Sequence, residues 1–258
     1  MDSDRAAPYP RGMEFNPALD LDSLSAELAR AGRLQVREIF PEPDANAIHE
    51  QLAGNVPWSI VHNEGDKVRK WPVEELGRMN PQVVDDMFAQ VVEQARSGYQ
   101  FLYASFSLND AYFADVGPKP PILKFYEFLN SPPALDWFRR LTGQDDIRWA
   151  DSQATLYQSG HFLRSHTDRD DAGARVAAYV LNFTPVWERD WGGYLEFYNA
   201  DHDIELALRP IFNAMNIFLV PVDHAVGIVA PFANAGRLSI TGWLRRDDPP
   251  GVFGKYRL

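Results

Sequence analysis

The spacing of apolar residues predicts a chain in two parts, with helices first and short strands afterwards. In the first part the apolar positions recur every three or four residues, which is typical of amphipathic helices. The helices predicted from this spacing are Leu21–Arg30, Pro43–Leu52, Pro81–Arg96, Pro121–Leu129 and Ala134–Leu141. Asp20 and Asn80 precede the first and third helices as N-caps. Gly54 and Gly143 follow the second and fifth helices as stop signals.

A hairpin interrupts the helical part. Trp58–Val61 and Val68–Trp71 have the composition of two strands, and the polar run Asn63–Asp66 between them is a turn signal. This pattern fits a plain surface hairpin, and it also fits a mobile lid over a site, since lids are built from exposed loops with glycine hinges. Both interpretations stay open at this point.

After residue 146 the helical period gives way to short apolar runs that are separated by Gly, Pro, Asn and Asp. The predicted strands are Ile147–Tyr157, Val176–Leu181, Tyr194–Tyr198, Met215–Val220, Ala225–Val229 and Leu238–Leu244. Many short, evenly spaced strands predict a sandwich or barrel, most simply a jelly roll. The expected fold class is α+β and mainly β: a double-stranded β-helix (jelly-roll) core with the N-terminal helices packed on one sheet.

The domain organisation follows from the absence of internal repeats, low-complexity tracts and linkers in the sequence. We therefore expect a single domain over residues 1–258. Its expected parts are a loose arm (1–19), a helical support (20–145) that includes a hairpin lid (58–71), the jelly-roll core (146–246) and a tail (247–258) that is either an ordered flap or loose.

Composition and charge narrow the classes of function. The chain has 258 residues, no cysteine and a formal net charge of −11. The negative charge argues against a nucleic-acid surface, which needs clustered Lys and Arg, and leaves a basic partner or peptide possible through charge complementarity. No membrane span and no secretory leader are expected. The lack of disulfide-forming residues fits a cytoplasmic protein.

Candidate chemistry is concentrated in His166, Asp168 and His224. Residues two apart in a strand point to the same side, so His166 and Asp168 are expected to reach one metal ion together. Two imidazoles and one carboxylate form the facial triad that holds non-haem Fe(II) and leaves positions open for substrate and oxygen. The pair alone also fits a polar surface turn, and both interpretations stay open on this spacing.

A second group of polar residues lies on the predicted last strand. Arg237, Ser239, Thr241 and Trp243 share one face of it, and apolar residues occupy the other face. A buried arginine needs a partner, so this face is interpreted as a pocket that grips a carboxylate with two hydrogen bonds. A surface strand with an ordinary salt bridge is the alternative. Consecutive antiparallel strands are expected to bring His224 close to Arg237.

Several motifs, taken in order, resemble a known family. They are Tyr157, His166-Thr167-Asp168, Val180-Leu181-Asn182, Asp190 to Phe197, Asn213-Ala214-Met215, His224-Ala225-Val226 and Arg237 to Trp243. Their order and spacing over residues 145–246 resemble the 2-oxoglutarate- and iron(II)-dependent oxygenases. The prolyl-hydroxylase branch, with the ribosomal-protein prolyl hydroxylases and their bacterial relatives, is the most similar one.

The resemblance implies roles for individual residues. His166, Asp168 and His224 would bind iron, and Arg237 would pair with the distal carboxylate of 2-oxoglutarate. The resemblance gives the further cosubstrate-binding residues as Tyr157, Ser239, Thr241, Trp243 and Tyr179. Of these, Tyr179 lies one position off the family register, where Val180 falls. The carboxylate at Asp168 favours hydroxylation, since the related halogenases have a small residue there.

The resemblance also implies the reaction. A 2-oxoglutarate/Fe(II)-dependent dioxygenase would hydroxylate a prolyl residue of a protein or peptide and decarboxylate 2-oxoglutarate to succinate, with O2 as the oxidant and ascorbate in support. The first alternative is a hydroxylase of a free amino acid or natural-product intermediate at the same site. The second is a catalytically silent jelly-roll binding module.

Overall fold

The computed structural model describes residues 12–54, 56–114, 117 and 119–254. The helices are α1 (Leu21–Ala31), α2 (Glu42–Gly54), α3 (Val73–Leu76), α4 (Pro81–Ala95), α5 (Leu108–Phe113), α6 (Ile122–Leu129) and α7 (Pro132–Thr142). The strands are β1 (Arg33–Arg37), β2 (Ser59–Glu64), β3 (Lys67–Pro72), β4 (Phe101–Ser107), β5 (Trp149–Ala150), β6 (Gln153–Tyr157), β7 (Phe162–His166), β8 (Arg175–Asn182), β9 (Leu195–Tyr198), β10 (Ile204–Leu208), β11 (Ala214–Leu219), β12 (His224–Val226) and β13 (Arg237–Arg245). Within these ranges no helix combines the length and apolarity needed to cross a bilayer.

The strands form one antiparallel sheet that curls into a nearly closed barrel. Its order is β1-β11-β8-β13-β6-β4-β7-β12-β9-β10, with β2 also paired to β4, β3 to β2, and β5 to β13. This is the double-stranded β-helix that the strand spacing predicted, preceded by the predicted helices. Closing the sheet leaves an interior that side chains must fill or a ligand must occupy.

The alternation along β8 shows how the sheet separates two apolar layers. Ala178 and Val180 pack inside the barrel against Phe197 and Phe218. The residues that alternate with them, Ala177, Tyr179 and Leu181, pack outside the barrel in the large core shared with the helices. The prediction that the helices bury one outer face of the sheet is therefore confirmed. The two predicted N-caps are confirmed as well. Asp20 and Asn80 accept hydrogen bonds from backbone N–H groups of α1 and α4, as N-caps do.

The predicted strand Ile147–Tyr157 is wrong as a single element. It divides into β5 and β6 at Asp151 and Ser152, because the backbone there bonds to groups outside the ladder. The Asp151 carbonyl accepts from the Tyr179 hydroxyl at 2.8 Å, and the Ser152 carbonyl accepts from the Leu108 N–H at 3.0 Å. The Gly242 backbone also passes so close to Asp151 that a Cβ at position 242 would overlap the Asp151 carbonyl.

The hairpin of residues 58–71 is present, and its two strands differ in environment. β2 pairs with β4 from Ser59↔Ser105 to His62↔Leu102, so it is part of the main sheet. β3 pairs with β2 alone and is exposed along most of its length. Gly65 in the turn has a φ of 58°, a left-handed conformation that glycine adopts without penalty. Movement of this hairpin as a lid stays a prediction.

The two ends of the domain are more ordered than the sequence indicated. Residues 1–11 of the expected loose arm lie outside the described residues, but the rest of that arm is packed. Phe15 is 7% exposed and stacks on Trp137 with ring centroids 4.1 Å apart. At the other end, Phe253 packs against Tyr112 and Tyr126. The tail is therefore an ordered flap as far as residue 254, because each end carries an aromatic side chain that fits the helical core.

Substituting Phe15 by Ala tests whether the arm stabilises the domain. We expect the free energy of unfolding to fall by about 3 kcal/mol, since a buried aromatic ring leaves a cavity when truncated. Urea unfolding followed by circular dichroism measures this change. Phe232→Ala is the matched control, because Phe232 is 67% exposed. An equal small effect of both substitutions would mean that the arm adds nothing to stability.

Candidate active site

Three side chains converge inside the barrel at one end of the paired strands β7 and β12. The Nε2 atom of His166 lies 3.3 Å from Asp168 Oδ1, and the Nε2 atom of His224 lies 3.4 Å from Asp168 Oδ2. All three possible ligand atoms lie within 4.8 Å of one another. The distant parts of the predicted triad therefore meet, at the spacing that one small metal ion requires.

A β-bulge in β7 positions the first histidine. His166 pairs with His224, but Val226 pairs with Leu163, so two residues of β7 oppose Ala225 alone. The two residues that share this position, Arg164 and Ser165, are exposed. A bulge of this kind re-aims the side chains that follow it. His166 consequently points into the barrel beside His224.

The expectation that His166 and Asp168 share one strand is wrong, although both reach the same point. β7 ends at His166, and Asp168 has a left-handed φ of 54°. The turn that follows is fixed by the Asp170 carboxylate, which accepts from the N–H groups of Ala172 and Ala174 at 3.1 and 3.0 Å. The carboxylate of Asp168 is thus returned to the histidines by a tight turn and not by strand alternation.

The surroundings of the histidines call for a cation. The Nδ1 atoms of His166 and His224 lie 3.0 and 2.9 Å from the backbone carbonyls of Arg164 and Val222. A carbonyl only accepts, so each Nδ1 carries a proton and each Nε2 is left facing the Asp168 carboxylate, which is also an acceptor. Both rings need either a second proton or a metal ion at Nε2. Burial raises the pKa of Asp168, but hydrogen bonds from both histidines outweigh it and hold that pKa well below its ordinary value.

The cavity beside the triad has a volume of about 460 Å³, and Arg237 lies in its wall. The side chain of Arg237 is 1% exposed. Its guanidinium lies 5.3 Å from the ring centre of Tyr157, and its Nε has no hydrogen-bond partner. None of the ion pairs in the described part of the chain includes Arg237. Burial lowers its pKa to about 10, so it stays charged at neutral pH.

Arg237 and His224 line one cavity without being on neighbouring strands. β12 pairs with β7 and β9, whereas β13 pairs with β5, β6 and β8. The expectation that consecutive strands bring the two residues together through pairing is therefore wrong. They lie on opposite walls of the barrel, and the closure of the sheet gives them a common interior.

The other predicted cosubstrate residues differ in what they contact. Tyr157, Thr241 and Trp243 line the cavity. Ser239 is fully buried, and its Oγ lies 2.9 Å from the Thr155 hydroxyl. These contacts leave Tyr157, Thr241 and Trp243 in position to face a ligand and give Ser239 a partner in the wall.

Tyr179 is a correction to the predicted site. It belongs to the lining of the cavity, but its hydroxyl donates to the Asp151 carbonyl at 2.8 Å and bonds to the Ser152 hydroxyl. Its ring packs against Phe138 of the helical layer. Val180 takes the inward position instead, as strand alternation requires, so the Tyr179 phenol is not available to a cosubstrate.

The sequence gave no role to three side chains that line this cavity, namely Tyr99, Tyr103 and Arg175. The ring of Tyr103 stacks on that of Tyr157 with centroids 4.9 Å apart, and Tyr99 lies 5.6 Å from His166. Burial raises the pKa of both Tyr103 and Tyr157, which keeps both phenols neutral. The alternating aromatics at 99, 101 and 103 were a signal of a strand with one apolar face.

Arg175 is a second cation of the cavity, and no motif marked it. Its guanidinium lies 3.7 Å from the ring centre of Trp243, which is close enough for a cation–π contact. One terminal nitrogen donates to the Asp168 carbonyl at 3.3 Å. The Nε of Arg175 and the indole Nε1 of Trp243 are both buried without a partner. With Arg237 Nε they make three unpaired donors around one cavity.

Comparison with known proteins agrees with this geometry. Residues 152–245 match the sequence model of the 2OG-Fe(II) oxygenase superfamily. The chain is 32% identical over 114 residues to prolyl 3-hydroxylase OGFOD1 of Mus musculus, a match that covers 42% of this chain and 20% of the mouse protein. The chain thus spans about a fifth of the length of that relative.

Solved structures share the fold at low identity. A prolyl-4-hydroxylase from Pseudomonas putida has a TM-score of 0.56 and 21% identity, covering 88% of this chain and 100% of that one. A prolyl hydroxylase from Trichoplax adhaerens, solved with a hypoxia inducible factor peptide fragment, has a TM-score of 0.52 and 15% identity, covering 88% and 90%. At these identities the likeness shows the double-stranded β-helix fold.

Asp151 bonds to the backbone of Trp243, a residue of the cavity wall, and its burial leads to a prediction about how stability depends on pH. Its Oδ1 accepts from the Trp243 N–H at 2.9 Å, and burial raises its pKa to about 6 although that bond and Arg245 lower it. An unfolded Asp titrates near 3.9. Between these values the folded state binds more protons than the unfolded state, so the contribution of Asp151 to stability falls as pH rises from about 4 to about 6.

The stability of the Asp151→Asn variant, relative to that of the unmodified chain, should therefore increase as the pH is raised. We expect the difference in free energy of unfolding to shift by about 1 to 3 kcal/mol between pH 4.5 and pH 7.5. Urea unfolding at both pH values measures it. Asp190→Asn serves as an exposed control, since its side chain is 71% accessible. A shift no larger than that of the control would contradict the prediction.

Proposed function

We propose that this chain, whose residues 152–245 form the core of a 2OG-Fe(II) oxygenase, hydroxylates a prolyl residue of a protein or peptide and converts 2-oxoglutarate to succinate. The observation that carries the proposal is the pairing of two unsatisfied sites in one cavity. One is a His-Asp-His cluster arranged for a cation, and the other is a fully buried arginine without an anion.

The residues present fit iron and its cosubstrate. His166, Asp168 and His224 would hold Fe(II), since two imidazoles and one carboxylate on one side suit this ion. Arg237 would bind the distal carboxylate of 2-oxoglutarate through its free donors. Bound iron supplies oxygen activation coupled to oxidative decarboxylation, while the protein orients the reactants.

Formal charge supports this assembly. Among the groups that would hold the metal and the cosubstrate, Fe(II) and Arg237 bring three positive charges, and Asp168 and 2-oxoglutarate bring three negative ones. Arg175 is a further cation of the cavity wall, outside this sum, and is left for a carbonyl or carboxylate of the substrate. A neutral group is what a buried cavity tolerates, because an uncompensated ion there is costly. Tyr157, Thr241 and Trp243 line the remaining space, and the neutral phenol of Tyr157 can donate to a carboxylate oxygen.

An adjoining groove supports a polypeptide substrate. It has a volume of about 270 Å³ and runs between the hairpin and the barrel, where Val61, Val68 and Lys70 contribute to its wall. Tyr103 and Trp243 belong to the walls of both the groove and the cavity. The groove and the cavity therefore share part of a wall, and an extended chain lying in the groove would pass beside the proposed metal site. The names of the mouse and Trichoplax relatives, both prolyl hydroxylases, agree with this choice.

Arg175 favours a second candidate function, the hydroxylation of a small carboxylic acid such as a free amino acid. Such a substrate needs a charge partner inside the cavity besides Arg237. The guanidinium of Arg175 has an unpaired Nε and meets this need. In a peptide substrate the same donors would bind a backbone carbonyl, so the two candidates differ in whether a free carboxylate is required.

Loss of turnover on removing the Asp168 carboxylate tests the oxygenase activity. We expect succinate to form when the purified chain receives Fe(II), ascorbate, O2 and 2-oxoglutarate. It should fall at least about a hundredfold in Asp168→Ala, because even mutating an outer-shell partner of a metal ligand costs about 10–100-fold. Asp171→Ala, an exposed carboxylate of the same loop, should retain turnover. A silent binding module would give no succinate from any variant.

The substrate class is tested separately with a lysate of the source cells. A prolyl hydroxylase should add 16 Da to prolines in a 2-oxoglutarate-dependent reaction that is visible by peptide mass spectrometry. If succinate forms but only free small molecules gain oxygen, the second candidate function replaces the first.

Arg237→Ala should weaken 2-oxoglutarate binding far more than metal binding. The loss of a buried charge-assisted contact corresponds to about 2–5 kcal/mol, or roughly thirtyfold to several thousandfold in affinity. Isothermal titration with 2-oxoglutarate after loading with Mn(II) measures this, and retained Mn(II) affinity shows that the variant is folded. Arg169→Ala is the control, because Arg169 lines the same cavity but is exposed. Similar losses in both variants would exclude Arg237 as the carboxylate partner.

A further inference from the structure

A second groove lies on the outer face of the wall that holds the metal ligands. It has a volume of about 520 Å³, and helix α4 forms one side of it while β7, β9 and β12 form the floor. Ser165 and Asp223, which line it, each immediately precede a histidine of the triad. Leu163 and Val226 line both this outer groove and the inner cavity, so the two spaces are separated by a single layer of the sheet.

The outer groove has apolar sides that are open to solvent. Val92 on α4 is 47% exposed, and Ile228 after β12 is 61% exposed. Ala95, which is half-buried, adds to the lining near the end of α4. Exposed aliphatic residues that face each other across a concave surface suit the aliphatic parts of a bound chain.

The polar part of the outer groove is acidic, and its carboxylates are bonded to hydroxyl groups instead of cations. Glu196 accepts from the Tyr198 hydroxyl at 2.9 Å, and Asp223 accepts from the Ser165 hydroxyl. No ion pair of the described residues includes either carboxylate. Burial, followed by Glu196 and then Asp223, raises the pKa of Tyr198 to about 12.

Arg164, the arginine that lines the groove, bonds to backbone carbonyls and not to these carboxylates. Arg164 donates to the carbonyls of Ala95 and Gly98 at the end of α4, where the helix dipole is negative. His202 also lines the groove, and the exposed carboxylates of Asp201 and Asp203 flank it in the chain. In a chain with a net charge of −11, this leaves the Glu196 and Asp223 carboxylates of the groove without a direct ion-pair partner among the described residues.

We propose that the outer groove binds a basic, aliphatic segment of a partner polypeptide. A lysine or arginine side chain of that segment lays its stem along Val92 and Ile228 and brings its charged end to Glu196 and Asp223, as long cationic side chains do on mixed surfaces. Charge complementarity speeds association and selects the partner. The surface is distinct from the catalytic cavity, so binding there needs neither metal nor turnover.

The test uses the full chain and a fluorescein-labelled twelve-residue peptide of alternating Leu and Lys, without proline. Fluorescence anisotropy at 50 mM salt should give saturable binding, and the same peptide with Glu in place of Lys should bind at least about tenfold more weakly. Binding should also weaken at 300 mM salt, because exposed charges are screened. Because no cosubstrate is present, the result does not depend on the proposed hydroxylation.

Two pairs of matched variants locate the binding site. Val92→Lys places a positive charge at the groove and should raise the dissociation constant about fivefold or more. Val83→Lys, on the same helix at 50% exposure and outside the groove, should raise it less than twofold. Ile228→Ser should weaken binding without a change of charge, whereas Ile204→Ser, at 55% exposure on β10, should not.

The controls decide the outcome. If both lysine variants lose affinity equally, the peptide is attracted by overall charge and the proposal is wrong. Equal binding of the glutamate peptide would overturn it as well. If Val92→Lys fails to fold, the serine pair gives the same decision, since an Ile228→Ser variant that binds like Ile204→Ser excludes the groove.

Discussion

A guanidinium buried without an anion is the constraint on which the rest of this barrel depends. Arg237 is 1% exposed and its Nε is unpaired, a state that is costly unless a ligand supplies the missing charge. Tyr157 stabilises the cation through its ring, but a neutral ring does not replace a carboxylate. An acidic ligand would supply the missing charge, and the position of Arg237 in the cavity wall would then set where that ligand lies relative to the triad.

The triad depends on two local departures from regular strand geometry. The bulge opposite Ala225 turns His166 inward, and the left-handed turn at Asp168 returns its carboxylate to the histidines. Neither departure belongs to a regular strand, so the observed arrangement of the three groups does not come from strand alternation alone. The conformational cost of the turn is offset by the hydrogen bonds of Asp170 and by the contact of Arg175 with the Asp168 carbonyl. Strain of this kind is characteristic of functional sites.

The sequence predicted where helices and strands form better than it predicted which strands pair and which side chains meet. Strand periodicity and helix caps identified the core and most helices because they are local signals, and the motifs identified the triad and Arg237. The split at Asp151, the bulge in β7 and the partners of β12 depend on contacts between distant segments, which no local pattern contains. Tyr179 shows the limit clearly: one position of register moves its hydroxyl from the cavity to the Asp151 carbonyl. Arg175 was missed for the same reason, because its position depends on contacts that no local pattern contains. Trp243 is far from it along the chain, and Asp168 lies across the intervening loop.

The irregular backbone that forms the metal site also shapes the opposite face of the same wall. The two β7 residues that oppose Ala225 at the bulge are both exposed on the outer side, and Ser165 is one of them. Its hydroxyl bonds to Asp223, which directly precedes His224, so the two histidines are joined on the inner face by Asp168 and on the outer face by this pair. Leu163 and Val226 fill the layer between the two faces. The bulge in β7 and the residues just before the two histidines therefore shape both faces of a wall that is a single layer of the sheet thick.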